Sequence, residues 1–151
     1  MPLQVYPGLL IATARRRIKQ AVLARVAHRQ LTAQQFWMIV AIEEHPGISQ
    51  AEIAARVRAD PPSVSRALSA LIGRGIVRAD PDQDDRRRTC VFLTPAGRRL
   101  ARDLAPVARE IREAVVKGMS PAEIAVLCAA LKRIIANLDR LEDRSTARER
   151  A

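Results

Sequence analysis

Residues 49–94 read SQAEIAARVRADPPSVSRALSALIGRGIVRADPDQDDRRRTCVFLT, and their order decides the fold. Ser49-Gln50-Ala51-Glu52 and Asp60-Pro61 each place a capping oxygen before a helical run. In the first, the Ser hydroxyl takes the N3 amide and Glu52 reaches back to the cap amide. In the second, proline fills N1, where a missing N–H leaves nothing unbonded. Gly75 follows the second helix, where a C′ glycine takes up left-handed backbone. Ile76-Val77-Arg78 and Thr89-Cys90-Val91-Phe92-Leu93 then read as strands around the turn Asp80-Pro81-Asp82-Gln83-Asp84-Asp85-Arg86-Arg87-Arg88. That turn lacks an Asn-Gly signal, which predicts a longer loop. Two short helices followed by such a hairpin are the plan of a winged helix-turn-helix, with the second helix in a DNA major groove and the hairpin as the wing.

Further helix starts flank this segment. Thr32-Ala33-Gln34-Gln35 and Ser120-Pro121-Ala122-Glu123 fit the capping box, and Thr94-Pro95 repeats the cap-then-proline pattern. A first helix fills Leu9 to His28 behind Pro7-Gly8, and His45-Pro46-Gly47 ends the second. The fold expected is mainly α with a small β-hairpin wing. It is one domain over 1–151: a winged lobe over about 32–97, with helices over about 8–30 and 98–143 on either side. The charged tail after Asp143 is expected to fray.

The last helix carries an apolar seam. Ile124, Leu127, Leu131, Ile134, Leu138 and Leu141 alternate steps of three and four, an a/d repeat that packs either on the chain's own helices or on a second chain. Leu104, Val107, Ile111 and Ala114 form a looser stripe on the helix before it.

Composition narrows the function. The 151 residues carry a net charge of +10, with Lys only at 19, 117 and 132. Residues 49–102 hold 11 Arg against 6 acids, a net +5, whereas residues 103–151 net +1. A basic balance of this kind favours a polyanion, most often nucleic acid. No apolar run approaches the ~18 residues that span a bilayer, and the start lacks the basic-then-apolar order of a signal peptide. A soluble cytoplasmic protein is expected, without a membrane partner. His28 and His45, the only histidines, have no metal-ligand or nucleophile spacing, and no glycine-rich phosphate loop is present. No metal, cofactor or catalytic residue is expected, and the chain does not read as an enzyme. Cys90 and Cys128 read as packed free thiols rather than a disulfide or a redox pair.

Val64, Leu68, Leu71 and Ile72 make one apolar stripe on the second helix of the pair. The opposite face shows Ser63, Ser65, Arg66, Ser69, Ala70 and Gly73, small enough to sit deep in a groove. Ser can bond a base edge or phosphate, and Arg can fork onto guanine O6 and N7. Ile53, Ala54 and Val57 turn the helix before it inward. Arg86, Arg87 and Arg88 form a cationic tip suited to a narrow minor groove. Asp82, Asp84 and Asp85 would repel phosphate there, so an Asp–Arg pair within the loop is expected to shape the wing.

Ser49-Gln50-Ala51-Glu52-Ile53-Ala54, Asp60-Pro61-Pro62-Ser63-Val64-Ser65-Arg66 and Leu71-Ile72-Gly73-Arg74-Gly75-Ile76-Val77 resemble the MarR family of bacterial winged-helix transcription regulators. Asp85-Arg86-Arg87 followed by Leu93-Thr94-Pro95-Ala96-Gly97 is the most specific part of the likeness. The resemblance implies a homodimer built from the terminal helices, with two winged lobes on one palindromic operator on double-stranded DNA and a repressor's role. It implies that Ser63, Ser65 and Arg66 face DNA from the recognition helix, that Arg87 is the minor-groove arginine, and that Asp85 orients the wing; Ser69, on the same helix face, and Arg86 and Arg88, on the same tip, are expected to join them at DNA. Family members often carry an Arg where this chain has Ala79; Arg78 lies one residue earlier, on the opposite strand face.

The resemblance also implies control by a small anionic or phenolic effector held between the dimer helices and the DNA lobes. Arg15, Arg16, Arg17, His28 and Trp37 would border that cleft. The acid-rich wing and Ala79 motivate a competing expectation, a winged-helix protein–protein module without DNA binding.

Overall fold

The structure, a computed structural model, describes residues 2–3, 6–85 and 88–149, with side chains as far as Leu141. In chain order it contains α1 (Pro7–Val26), a tight 3-10 turn (Ala27–Arg29), α2 (Ala33–Glu44), β1 (Ile48–Ser49), α3 (Gln50–Val57), α4 (Pro61–Gly73), β2 (Val77–Pro81), β3 (Thr89–Leu93), α5 (Pro95–Val116) and α6 (Pro121–Glu149). Two compact units divide the chain, Met1–Arg112 and Glu113–Ala151.

Side-chain oxygens cap the helices where the sequence places them. Thr32 Oγ1 accepts the Gln35 amide at 3.1 Å, Ser49 Oγ that of Glu52 at 3.2 Å and Ser120 Oγ that of Glu123 at 3.3 Å. Each acidic or amide partner reaches back to the cap amide, closing all three boxes. Asp60 Oδ1 takes the Ser63 amide at 2.9 Å, and Thr94 Oγ1 takes that of Gly97 at 3.0 Å. Such caps contribute about 1 kcal/mol each.

The first unit buries one core. Val22 and Val26 of α1, Phe36, Ile39 and Ile42 of α2, Ile53 of α3, Val64 and Leu71 of α4, and Val77 and Val91 of the sheet all pack into it. Full burial of an aliphatic side chain of this kind contributes about 1.5–3 kcal/mol. Leu104, Ala108 and Ile111 bring α5 onto the same core. Ion pairs rim it: Arg25 with Glu110, Arg29 with Asp103 at 2.9 Å, and Arg112 with Glu44 at 2.8 Å. These tie α1, its following turn and α2 to α5, though exposed pairs add only ~0–1 kcal/mol.

The sheet runs β1-β3-β2, antiparallel throughout, with Ile48 opposite Val91 and Val77 opposite Leu93. The two-residue β1 was not expected, because Ile48-Ser49 is too short to show alternation. β2 covers Val77–Pro81 where Ile76–Arg78 was expected. Ile76 instead closes the exit of α4, its amide on the Leu71 carbonyl at 3.0 Å. Pro81 is tolerated because β2 is an edge strand.

Other expectations shift as well. α1 starts at Pro7 rather than Leu9, since proline at N1 opens a helix, and it tightens after Val26. Ile72 is 41% exposed rather than in the core stripe. At about 100° per residue it lies some 80° from Val64, on the stripe's rim. On α5 the buried positions are Gly97, Ala101, Leu104, Ala108 and Ile111; Val107 is half-buried and Ala114 exposed. α6 continues helical to Glu149, past the expected fraying point at Asp143.

Candidate nucleic-acid interface

α4 buries Val64, Leu68 and Leu71, and so turns Ser65, Arg66, Ser69, Ala70 and Gly73 to the outside. Ser63 is half-buried on the flank of that face. Its hydroxyl accepts from Arg66 Nη2 at 3.3 Å, and Ser69 Oγ donates to the Ser65 carbonyl at 3.0 Å. The face is therefore small and hydroxylated around one central guanidinium. Asp60, held below its ordinary carboxylate range first by the Ser63 hydrogen bond, fixes the start of the helix. Arg58, left-handed at φ 52°, makes the turn from α3 into α4.

Arg74 anchors the far end of α4. Its guanidinium donates to the carbonyls of Gln30 at 2.8 Å and Arg29 at 3.0 Å. Sequence reasoning missed this role, because the partners are backbone carbonyls 44 and 45 residues away, at the left-handed Gln30 and the residue before it.

The wing is β2, β3 and the loop between them. Asp82 Oδ1 accepts the amides of Asp84 at 2.8 Å and Asp85 at 3.3 Å. Backbone bonds close the loop: the Asp82 amide to the Arg88 carbonyl, and the Arg88 amide to the Asp85 carbonyl, each 2.8 Å. The Asp84 amide is the main reason the Asp82 carboxyl lies below its ordinary range. Cys90 Sγ donates to Asp82 Oδ2 at 3.3 Å, and burial, then that carboxylate, pushes its thiol up. Asp82 organises the loop; an Asp two residues before an acceptable turn amide was the available signal. Asp85 enters the same loop through its backbone amide and carbonyl.

Arg86 and Arg87, and with them the Asp85–Arg87 relation, lie outside the described residues. Arg88 leans away from the loop onto α3, with Nη2 2.8 Å from Glu52 Oε2 and Nε 3.9 Å from Asp82 Oδ2. The latter is the Asp–Arg contact expected within the loop. Arg78 pairs with Asp80 and lies 4.6 Å from the Phe92 ring centre, so it is held on its own strand face and does not replace an arginine at Ala79.

A cavity of about 620 Å³ opens beside α2, between Trp37 and Glu44 on one wall, Arg56 and Arg58 at the end of α3, and Arg112 of α5. The Arg112 guanidinium lies 5.9 Å from the Trp37 ring centre. Of the five residues expected to border an effector site, Trp37 lines this cavity. Arg15, Arg16, Arg17 and His28 do not, and His28 Nε2 accepts from Arg29 instead.

On α6, no side chain from Pro121 to Leu141 is buried. Within the expected seam, Ile124, Leu131 and Ile134 are half-buried, while Leu127, Leu138 and Leu141 are exposed at 41%, 57% and 62%. Both cysteines are free, and Cys128 is exposed on this helix rather than packed. Among the described residues no group of three or more His, Cys, Asp or Glu is placed to hold a metal ion, and no single helix is long and apolar enough to cross a membrane.

Comparison with known proteins agrees with this geometry. The sequence model of the MarR family matches residues 29–88, the stretch from the end of the 3-10 turn to the wing. The HTH-type transcriptional repressor NicR of Pseudomonas putida is 29% identical over 128 residues, covering 85% of this chain and 81% of NicR. A structure of Bordetella bronchiseptica BpsR, whose DNA binding is regulated by 6-hydroxynicotinic acid, superposes with a TM-score of 0.74 at 25% identity, covering 89% of this chain and 96% of that one. The Staphylococcus aureus MepR–DNA complex shares the fold, with a TM-score of 0.79 at 21% identity, over 91% of this chain and 99% of that one. The helix-turn-helix, its wing and these likenesses converge: residues 29–88 match the MarR family of winged helix-turn-helix transcription regulators, and most of the chain is similar to such regulators.

Proposed function

We propose that two copies of this chain grip one palindromic duplex as a cytoplasmic repressor. α4 lies in the major groove and the wing reaches the adjacent minor groove. One observation carries the reading: Ser65, Arg66 and Ser69 stand exposed on α4, opposite the residues that fix the helix to the core. Arg66 reads a base edge, Ser63, Ser65 and Ser69 bond phosphates or bases, and Arg86 and Arg87 supply the wing's positive charge. Ile124, Leu127, Leu131, Ile134, Leu138 and Leu141 join the two copies, since an open heptad seam of this length favours a second helix over water.

Selection of duplexes from a randomised pool tests this. The expected product is a palindrome with half-sites about one helical turn, ~34 Å, apart. The complex carries two protein chains, and Leu138→Asp lowers its mass to one chain or abolishes it. Recovery of no enriched sequence eliminates this function and leaves the protein–protein module.

An effector also fits. BpsR, a protein similar to this one, responds to an aromatic carboxylate. We infer that the cavity beside α2 holds such an effector here: Trp37 offers a ring face, and Arg56, Arg58 and Arg112, the last shared with Glu44, offer cations to an aromatic anion.

A further inference from the structure

We propose that Arg88 is a positioning residue that clasps the wing to α3 through Glu52, and not a phosphate contact. This rests on the DNA-binding reading above. The two residues are 36 apart in sequence, and the Arg88 guanidinium reaches Glu52 Oε2 at 2.8 Å. That oxygen is already immobilised, because it accepts the Ser49 amide at 2.9 Å and the Ser49 hydroxyl at 2.6 Å. Ser49 in turn lies in β1, paired with Cys90 of β3. The receiving end of the clasp is thus built from a helix cap and a strand.

The wing end is equally fixed. Residue 88 closes the loop with both of its backbone groups, to Asp82 and to Asp85. Its side chain also lies 3.9 Å from the Asp82 carboxylate that organises the loop amides. One arginine therefore joins the loop to the first helix of the helix-turn-helix. A charge committed to two carboxylates on this side is not presented to phosphate. What it sets is the angle at which the wing meets DNA relative to α4.

The sign of one substitution separates the two roles. Removing a carboxylate from a DNA-facing surface ordinarily strengthens binding, since it removes repulsion from phosphate. The clasp requires the reverse for Glu52. Glu52→Gln keeps the capping box, which Gln also satisfies, and removes the charge partner.

The test uses the full chain and a duplex that the wild-type protein selects from a randomised pool. Glu52→Gln, Arg88→Gln and the double variant are titrated against it across a salt series, with circular dichroism confirming unchanged helicity. Each single variant is expected to bind roughly two- to fivefold more weakly, the size of one exposed ion pair. The double variant should be no weaker than either single one, and the slope of log affinity against log salt should not change. Binding by Glu52→Gln that equals or exceeds wild type overturns the clasp. So does an Arg88→Gln loss that adds to that of Glu52→Gln and lowers the salt slope by about one. If the wild type selects no duplex, the DNA-binding reading fails first, and the clasp with it.

Discussion

A methyl group on Gly97 would sit 2.0 Å from the carbonyl oxygen of Ile76. That carbonyl also accepts the Thr94 amide at 3.0 Å, while Thr94 Oγ1 donates to the Gly75 carbonyl at 2.6 Å. The end of α4, the start of β2 and the first turn of α5 therefore meet with no room for a Cβ. Gly97→Ala is expected to destabilise the fold by about 1–3 kcal/mol, the range for forced overpacking. Urea unfolding checks it; a midpoint equal to wild type would show that the junction yields freely.

This junction also shows what the sequence could express. Leu93-Thr94-Pro95-Ala96-Gly97 announced a capped helix start, because a cap is a local event between residues three apart. The reason for glycine was not legible, since Ile76 is 21 positions away and only the folded chain brings its carbonyl to residue 97. The same division holds in the interface. The α4 face and the wing's strands follow from local periodicity and caps. The partners of Arg74 and Arg88 depend on where distant backbone and side chains come to rest. Ile72 was misplaced because a stripe's edge and its centre differ by one helical step. β1 was too short to carry a period at all.

Arg66 and Arg74 lie eight residues apart on and just past α4, and their substitutions should separate. Arg66→Ala is expected to weaken binding to the selected duplex by about 1–3 kcal/mol and relax preference at one base pair, with thermal unfolding unchanged. Arg74→Ala removes the two bonds to the Arg29 and Gln30 carbonyls and should lower stability by about 1 kcal/mol. Equal effects of both variants on unfolding would contradict the division of roles.

Trp37 is the chain's one tryptophan, so its fluorescence reports the cavity directly. An aromatic carboxylate such as 6-hydroxynicotinic acid is expected to quench it in a saturable way. Arg112→Ala should weaken that response by up to about fivefold, for the loss of one exposed cation facing the carboxylate, worth ~0–1 kcal/mol. Quenching unaffected by Arg112→Ala would place the ligand elsewhere.

The Glu52 carboxyl is held down to about 2 from its ordinary 4.5, first by the Ser49 hydroxyl, then by the Ser49 amide and the Arg88 charge. A carboxyl with a lowered folded-state pKa stabilises the fold above its ordinary range and loses that contribution as pH falls through the lowered value. Acid unfolding of the wild type should therefore include a loss between about pH 4.5 and about pH 2 that Glu52→Gln lacks. Asp60, lowered first by its Ser63 hydrogen bond, and Asp82, lowered first by the Asp84 amide, contribute losses of the same sign that remain in the variant. Identical acid profiles for both proteins would remove Glu52 from this role.

Sequence-selective duplex binding is measured most directly by titrating the wild-type chain, across a salt series, against its selected palindrome and a base-scrambled duplex of equal length. The palindrome should bind roughly a thousandfold or more tightly than the scrambled duplex. Its log–log salt slope should be near −5, for about six phosphates neutralised by two copies. Equal affinity for the two duplexes, or a slope near zero, would contradict DNA reading by α4 and the wing.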